Sequence, residues 1–446
     1  MEDVSKAAGW REHYESVITS ADEAVRLIKD GDRVFIPDTV NEPLALTEAL
    51  ERNYARFHNV ELTSWMSLCP SSGYMAPEMQ GHFRMNAFFA AGNTRQAIQD
   101  GRADFSPAFY QNAPSIYRTE KAADVALCSC TPPDENGYCS LGCCVTYNKA
   151  PIEQARVVIA QVNRNIPYTY GDTLVHCSAF HAVVLEDRPL PEAHQGRIND
   201  VSKRIGAYCA QLIEDGSTLQ LGIGSIPDAV LSCLGEKKDL GIYAELFSDG
   251  VLELYKKGVI TNRYTTVCPG KMAAGLVMGT KELYDWCDHN PNIEFYPIDW
   301  INNPFRVAQN HKMVAINSCL QVDLYGQVNS EWMNGRQYSG TGGQVDFVRG
   351  AQASKGGKAL LCLPSTAAGG SVSRIVPTLP EGTMVTTLRN DVDYIVTEYG
   401  SARLKGLTVA ERAVKLINIA HPAFRRELEA RFKTMTNLTL EGITYD

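Results

Sequence analysis

Three short stretches of this chain combine residue types that could do chemistry. In Tyr243-Ala244-Glu245-Leu246-Phe247-Ser248-Asp249-Gly250, one carboxylate, Glu245, interrupts an apolar run. At the carboxyl end of a strand, where ligands gather in open α/β sheets, such a carboxylate is placed to act as a nucleophile or base. The same pattern also describes a strand-end Glu paired with a Lys or Arg, the commoner reason for an acid in apolar company. Gly222-Ile223-Gly224-Ser225-Ile226-Pro227-Asp228 follows the strand-like Thr218–Leu221 and reads as a turn into a helix with Pro in its first turn. Its glycines let the backbone approach an anion, and the helix N–H groups face it. It is not a dinucleotide fingerprint, because Pro227 stands where the third glycine would be, and no phosphate-loop motif occurs. Turns without any ligand look the same. Ser339-Gly340-Thr341-Gly342-Gly343 is either a flexible loop or a backbone that lines a ligand and donates N–H groups to a developing oxyanion. Gln344 and Asp346 alternate with Val345 and Phe347, which favours an ordered element there.

Other candidates carry less. Thr131-Pro132-Pro133-Asp134-Glu135-Asn136-Gly137 is a rigid turn in which Asp134 and Glu135 serve as caps. Five of the thirteen cysteines, Cys128, Cys130, Cys139, Cys143 and Cys144, cluster, but with C-x-C and C-x3-C-C spacing and no nearby His. Zinc and iron–sulfur ligands usually pair as C-x2-C or C-x4-C, so these read as packed thiols and no metal site is expected. The nine histidines form no H-E-x-x-H motif, and G-x-S-x-G is absent, so serine hydrolysis of the α/β-hydrolase type has no support.

The elements that must position these groups alternate strand and helix from end to end, the pattern of an α/β protein. Strands are expected at Asp32–Ile36, Val60–Trp65, Val125–Cys130, Arg156–Val162, Thr218–Leu221, Ile242–Phe247, Met313–Asn317, Ala359–Leu363 and Tyr394–Val396. Leu44–Arg52 after Pro43 reads as a helix, as does Val201–Glu214 with its apolar residues at helical spacing. Thr408–Arg431 reads as two helices broken at His421-Pro422. The polar stretch 187–200, with Pro189, Pro191 and Gly196, is the expected linker between a domain over 1–186 and a second over 201–446. No repeat is visible at the residue level.

Composition sets the frame. With 446 residues, 44% hydrophobic and 21% charged, the chain is long enough to bury a core without disulfide or metal staples, and disorder or fibrous structure is excluded. A net charge of −9 argues against a general affinity for nucleic acid or anionic membrane. No apolar run approaches a membrane span, and Met1–Ser20 has neither an apolar signal core nor an Arg-rich, acid-poor composition. A cytoplasmic enzyme is the expectation.

Taken together and in order, the motifs are more specific than any one of them. The segments 21–34, PPDENGYCSLG (132–142), GDTLVH (171–176), 212–231, 239–261, QYSGTGGQVDFVRGA (337–351) and RNDVDYIVTEYG (389–400) resemble the acetyl-CoA hydrolase/transferase family, and within it the 4-hydroxybutyrate and butyryl-CoA:acetate CoA-transferases. The resemblance implies two open-sheet α/β domains and transfer of coenzyme A between short-chain carboxylic acids, with an acyl-CoA hydrolase or an itaconate- or succinate-type transferase as the alternatives. It places the family's nucleophile on Glu245, working through a glutamyl-CoA thioester. Its coenzyme A contacts fall on Gly222, Ile223, Gly224, Ser225 and Ile226, on Gly343 with Gly342, and on Pro364. Coenzyme A is then a substrate, no tightly bound cofactor is implied, and a homodimer or higher homo-oligomer is. Two segments depart from the family pattern: Asp38 and Asn41 make the loop before Pro43 unusually polar, and residues 69–78 differ.

Overall fold

A computed structural model describes residues 9–67, 73–194, 196–436 and 438. Residues 1–8, within the N-terminal stretch read above, and 69–72 of the divergent 69–78 segment lie outside the described residues, as does Gln195 in the expected linker. The chain divides into two compact units, 1–194 with 273–301, and 195–272 with 302–446. The first division falls inside the expected linker. The second unit, however, does not run unbroken from 201, because backbone pairing ties 273–301 to the first. Ile293–Phe295 pairs in parallel with Tyr170–Gly171, Cys144 bridges Leu276, and the Val145 N–H donates to the Gly275 carbonyl.

The first unit is built on a seven-stranded sheet in the order Ala182–Leu185, Val157–Val162, Val125–Cys130, Arg33–Phe35, Val60–Ser64, Phe83–Ala87, Ala103–Phe105. Every neighbouring pair is parallel. All six residues of Val125–Cys130 and of Val157–Val162 are buried, as expected of central parallel strands covered on both faces. Each large apolar side chain so buried contributes about 1.5–3 kcal/mol. The helix Leu44–Arg52 begins after Pro43, as anticipated, and buries Ala45, Leu46, Ala49 and Leu50 at helical spacing.

In the second unit, Thr218–Leu221, Gly241–Phe247, Met313–Ser318, Lys358–Cys362 and Tyr394–Thr397 are the expected strands, with Gly400–Arg403 added antiparallel at one edge. Their order is 400–403, 394–397, 358–362, 313–318, 218–221, 241–247. The sequence has no residue repeat, yet both units wind alike. In each, the first strand lies inside the sheet, the second flanks it on one side, and three later parallel strands stack on the other. That places a topological switch point beside 33–35 and beside 218–221, at the carboxyl ends of the strands.

The helix Asp200–Leu212 opens with a capping box in which Asn199 Oδ1 accepts the Ser202 N–H and Ser202 Oγ accepts the Asn199 N–H. It buries Ser202, Ile205, Gly206, Cys209 and Ala210. A Cβ on Gly206 would stand 2.7 Å from the Ala229 carbonyl, so only glycine lets this helix close on Ser225–Ser232. That contact fixes the turn after 218–221. The tail forms Val409–Asn418 and Pro422–Met435, separated at His421 as expected. Among the described residues no helix is long and apolar enough to cross a membrane.

Candidate active site

Glu245 lies near the carboxyl end of Gly241–Phe247, half-buried in a strand whose other residues are buried. The fully buried Asn302 donates Nδ2–H to Glu245 Oε2 at 2.9 Å and also reaches Asp346 Oδ2 at 3.3 Å. Carboxylates only accept, so the amide must turn its nitrogen toward them. Its own oxygen is left buried without a hydrogen-bond partner among the described residues.

Gly343 closes the other side. A Cβ on it would fall well inside contact distance of Glu245 Oε2 and Asn302 Nδ2, so any other residue here would displace one or both side chains. Gly343 is also the N-cap of the helix Gln344–Ala353, and Gly342 before it has φ +53°. The Glu245 carboxylate thus sits against bare backbone at a helix N-terminus, where the helix dipole favours negative charge. The alternation at 344–347 does mark an ordered element. It is a helix, and its first five residues are buried on polar and apolar faces alike, which erases the helical period from the sequence.

Gly222–Ile226 forms the expected turn. Gly224 has φ +115° and caps the helix Ser225–Ser232, and Ile223 is 42% exposed. Thr218 and Leu219 pair with Gly241 and Ile242, so this turn follows the carboxyl end of the strand beside the one that carries Glu245. Pro364 follows Lys358–Cys362 at the same sheet edge, three strands along from Gly241–Phe247. At ~4.8 Å per strand that is about 14 Å. Of the site residues named from sequence, Gly343 lies against Glu245 at a helix N-terminus, Gly222–Ile226 follows the neighbouring strand, and Pro364 lies well away.

Comparison with known proteins decides what this arrangement belongs to. Residues 1–191 match the acetyl-CoA hydrolase/transferase N-terminal domain, and residues 279–432 match its C-terminal domain. The chain belongs to the acetyl-CoA hydrolase/transferase family. It is 49% identical over 425 residues to a 4-hydroxybutyrate coenzyme A transferase of Clostridium kluyveri, covering 95% of this chain and 99% of that one. It is 41% identical to a succinyl-CoA:cyclohexane-1-carboxylate CoA transferase of Geobacter metallireducens, covering 98% and 100%. The solved 4-hydroxybutyrate CoA-transferase of Porphyromonas gingivalis superposes with a TM-score of 0.83 at 40% identity, covering 96% and 100%. The protein is an enzyme, a CoA-transferase.

Elsewhere in this CoA-transferase the polar groups are structural. Asp134 caps its turn, Oδ1 accepting the N–H groups of Asn136 and Tyr138 at 2.9 Å each. Cys128, Cys130, Cys139, Cys143 and Cys144 are buried free thiols, and burial with neighbouring thiols pushes Cys130 and Cys143 well above the usual thiol range. Among the described residues no group of three or more His, Cys, Asp or Glu is placed to hold a metal. The divergent Asp38 is sealed in, 1% exposed, and accepts from Cys144 Sγ, Tyr110 Oη and Thr146 Oγ1 at 3.1, 3.1 and 3.3 Å. Burial outweighs those bonds and pushes its carboxyl up to about 6.

Asn302 is the residue the sequence reading did not find. It sits in Asp299-Trp300-Ile301-Asn302-Asn303-Pro304, where two adjacent Asn before Pro read as a turn. Asn303 does that work, accepting the Phe305 N–H as N-cap of Pro304–Val307. Nothing local distinguishes the Asn that turns inward.

Proposed function

We propose that this CoA-transferase moves coenzyme A between short-chain carboxylic acids, taking a 4-hydroxybutyryl- or butyryl-type acyl-CoA with acetate as partner, through a thioester on Glu245. The Glu245 carboxylate attacks the acyl-CoA thioester carbonyl, the C–S bond breaks, and an acyl–glutamyl anhydride forms with release of CoA thiolate. The thiolate then attacks the Glu245 carbonyl, expelling the first acid as its carboxylate and leaving glutamyl-CoA. An incoming carboxylate runs the sequence in reverse. Each intermediate stays activated, whereas a serine oxygen ester would be too low in energy to regenerate a thioester readily. Backbone N–H groups of Gly342 and Gly343 are the oxyanion donors in this reading, Asn302 holds the nucleophile, and Gly222–Ile226 takes part of the coenzyme A.

The observation that carries the proposal is the bare contact between Gly343 and Glu245. A carboxylate kept only for an ion pair has no need of a glycine backbone pressed against it. The 4-hydroxybutyrate specificity of the Clostridium relative supports the choice of acyl group. To test the mechanism, the enzyme is incubated with butyryl-CoA or 4-hydroxybutyryl-CoA without acceptor, treated with borohydride and digested for peptide mass mapping. Reduction of Glu245 to the alcohol is expected. Free CoA release with Glu245 unmodified would instead mean that water intercepts the anhydride, as in a hydrolase. An acceptor panel of acetate, succinate and itaconate then ranks the acids.

A further inference from the structure

The glycine-rich loop that carries Gly342 and Gly343 has little of its own to hold it in place. It runs from the base of the hairpin Trp332–Met333 with Arg336–Gln337 to the start of the helix Gln344–Ala353. Gly340, Gly342 and Gly343 are buried, yet among the described residues no hydrogen-bond acceptor faces the N–H groups of 340–343. Donors left free in a row suit a developing oxyanion. Glycine-rich backbone is also the most permissive, so the aim of those donors has to be set from outside the loop.

Glu331 grips the loop at its entry. Its carbonyl accepts the N–H groups of Tyr338 and Ser339 at 2.8 and 3.1 Å. Its carboxylate is buried and takes only neutral donors. Oε1 accepts from Thr386 Oγ1 at 3.0 Å and from Thr341 Oγ1 at 3.4 Å, and Oε2 accepts from Gln337 Nε2 at 3.1 Å. Among the described residues no Lys, Arg or His pairs with it. Burying a carboxylate without a cation is costly, so a residue that only filled space here would serve the fold better. What a carboxylate adds is two oxygens that only accept, which oblige both threonine hydroxyls to point at it.

The far end of that link is anchored. Thr387 bridges Val328, which pairs with Val322 in the three-stranded sheet, and the Ser330 N–H donates to Thr386 Oγ1 at 2.9 Å. At the loop's exit, Gln344 Nε2 donates to Ser330 Oγ and Thr387 Oγ1 at 2.9 and 2.8 Å. Both ends of the loop are therefore tied to the same two segments, 330–331 and 386–387.

We infer that Glu331 is a positioning residue for CoA transfer, holding the loop through Thr341 so that the Gly342 and Gly343 N–H groups stay aimed beside Glu245. This rests on the proposed use of those groups as oxyanion donors. Glu331 itself meets no reacting atom in this reading and acts only through the loop.

The test compares wild type with E331Q, T341V and the double variant, all as the full chain. Hydrogen–deuterium exchange over 338–344 reads the clamp, and steady-state CoA exchange between acids reads its consequence. T341V removes the hydroxyl but keeps the shape, so the test survives if E331Q folds poorly. Loss of a hydrogen bond to a charged group should speed exchange of this segment about tenfold or more in either single variant. The same variants should lose about ten- to a hundredfold in kcat, with KM for acyl-CoA nearly unchanged. The double variant should be no worse than the worse single one, because both changes cut one link. Unchanged hydrogen exchange would overturn the clamp and leave the oxyanion reading untouched. Faster hydrogen exchange with unchanged kcat, or a raised KM at constant kcat, would remove the loop's N–H groups from the chemistry and the positioning role with them. Failure to trap glutamyl-CoA would sink the thioester at Glu245 without altering either readout.

Discussion

The two units wind their sheets alike and finish the strand ends in opposite ways. Beside Arg33–Phe35, the switch point of the first unit is closed over Asp38, whose carboxyl takes hydrogen bonds from a thiol and hydroxyls and reaches almost no solvent. Thr39 and Thr146, at φ +51° and +32°, bend the backbone tightly around it. In the second unit the strand ends carry glycine turns, and Glu245 is half-buried, with the Asn302 amide and the Gly343 backbone among its neighbours. Topology alone puts an acid at each edge. Asp38 is sealed among side-chain donors, whereas Glu245 keeps partial exposure beside a glycine, the setting that the proposed chemistry needs.

The contrast breaks most directly at the two acids. Glu245→Gln should lower CoA exchange by at least about 10⁴-fold, the scale of losing a nucleophile, with the unfolding midpoint little changed. Measured exchange within tenfold of wild type would end the nucleophile assignment. Next in size is Gly343→Ala. Its methyl group needs the space of Glu245 Oε2 and Asn302 Nδ2, so the carboxylate must move. A displacement of that order should cost about 10²–10³-fold in kcat, read by steady-state kinetics alongside an unchanged circular dichroism spectrum.

Much of this was legible in the residues, and the part that was not has a common cause. Buried parallel strands announce themselves as short, largely uncharged runs, and the strands Val125–Cys130 and Thr218–Leu221, like the helix Leu44–Arg52, appear with the expected bounds. Glu245 stood out because it broke such a run. Asn302 and the return of 273–301 to the first unit depend on contacts between segments remote in sequence, 57 residues apart for Asn302 and Glu245. Local pattern carries no record of them. Gly343 was visible as part of a motif, but its reason, a carboxylate where its Cβ would be, appears only in three dimensions.

The saturated acid makes a prediction about stability. Folding raises the Asp38 carboxyl from 3.8 to about 6, so between those values the folded state holds a proton that the unfolded chain has lost. This group therefore stabilises the fold fully below pH 3.8, and its contribution falls as pH rises to about 6 and is flat above that. The span corresponds to about 3 kcal/mol. Asp38→Asn removes the titration while keeping the shape. Urea unfolding of both proteins at pH 4, 5, 6 and 7 should show the wild type losing about 2 kcal/mol relative to the variant across the series, part of the span being already lost at pH 4. A constant difference would mean that the cluster is not sealed as described.

Asn302→Ala sharpens the open side with the smallest effect. Asn302 touches the proposed nucleophile but forms no bond to it that the proposed reaction breaks, so its expected part is to hold Glu245 in one orientation. Losing a hydrogen bond to a charged acceptor is worth about ten- to a hundredfold. That loss should fall on kcat with KM for acyl-CoA nearly unchanged, because the carboxylate is still present but wanders. A raised KM at constant kcat would assign Asn302 to substrate binding instead. Glu245 would then owe its position to neighbours other than Asn302, the Gly343 backbone among them, and the contrast with the ringed Asp38 would be sharper still.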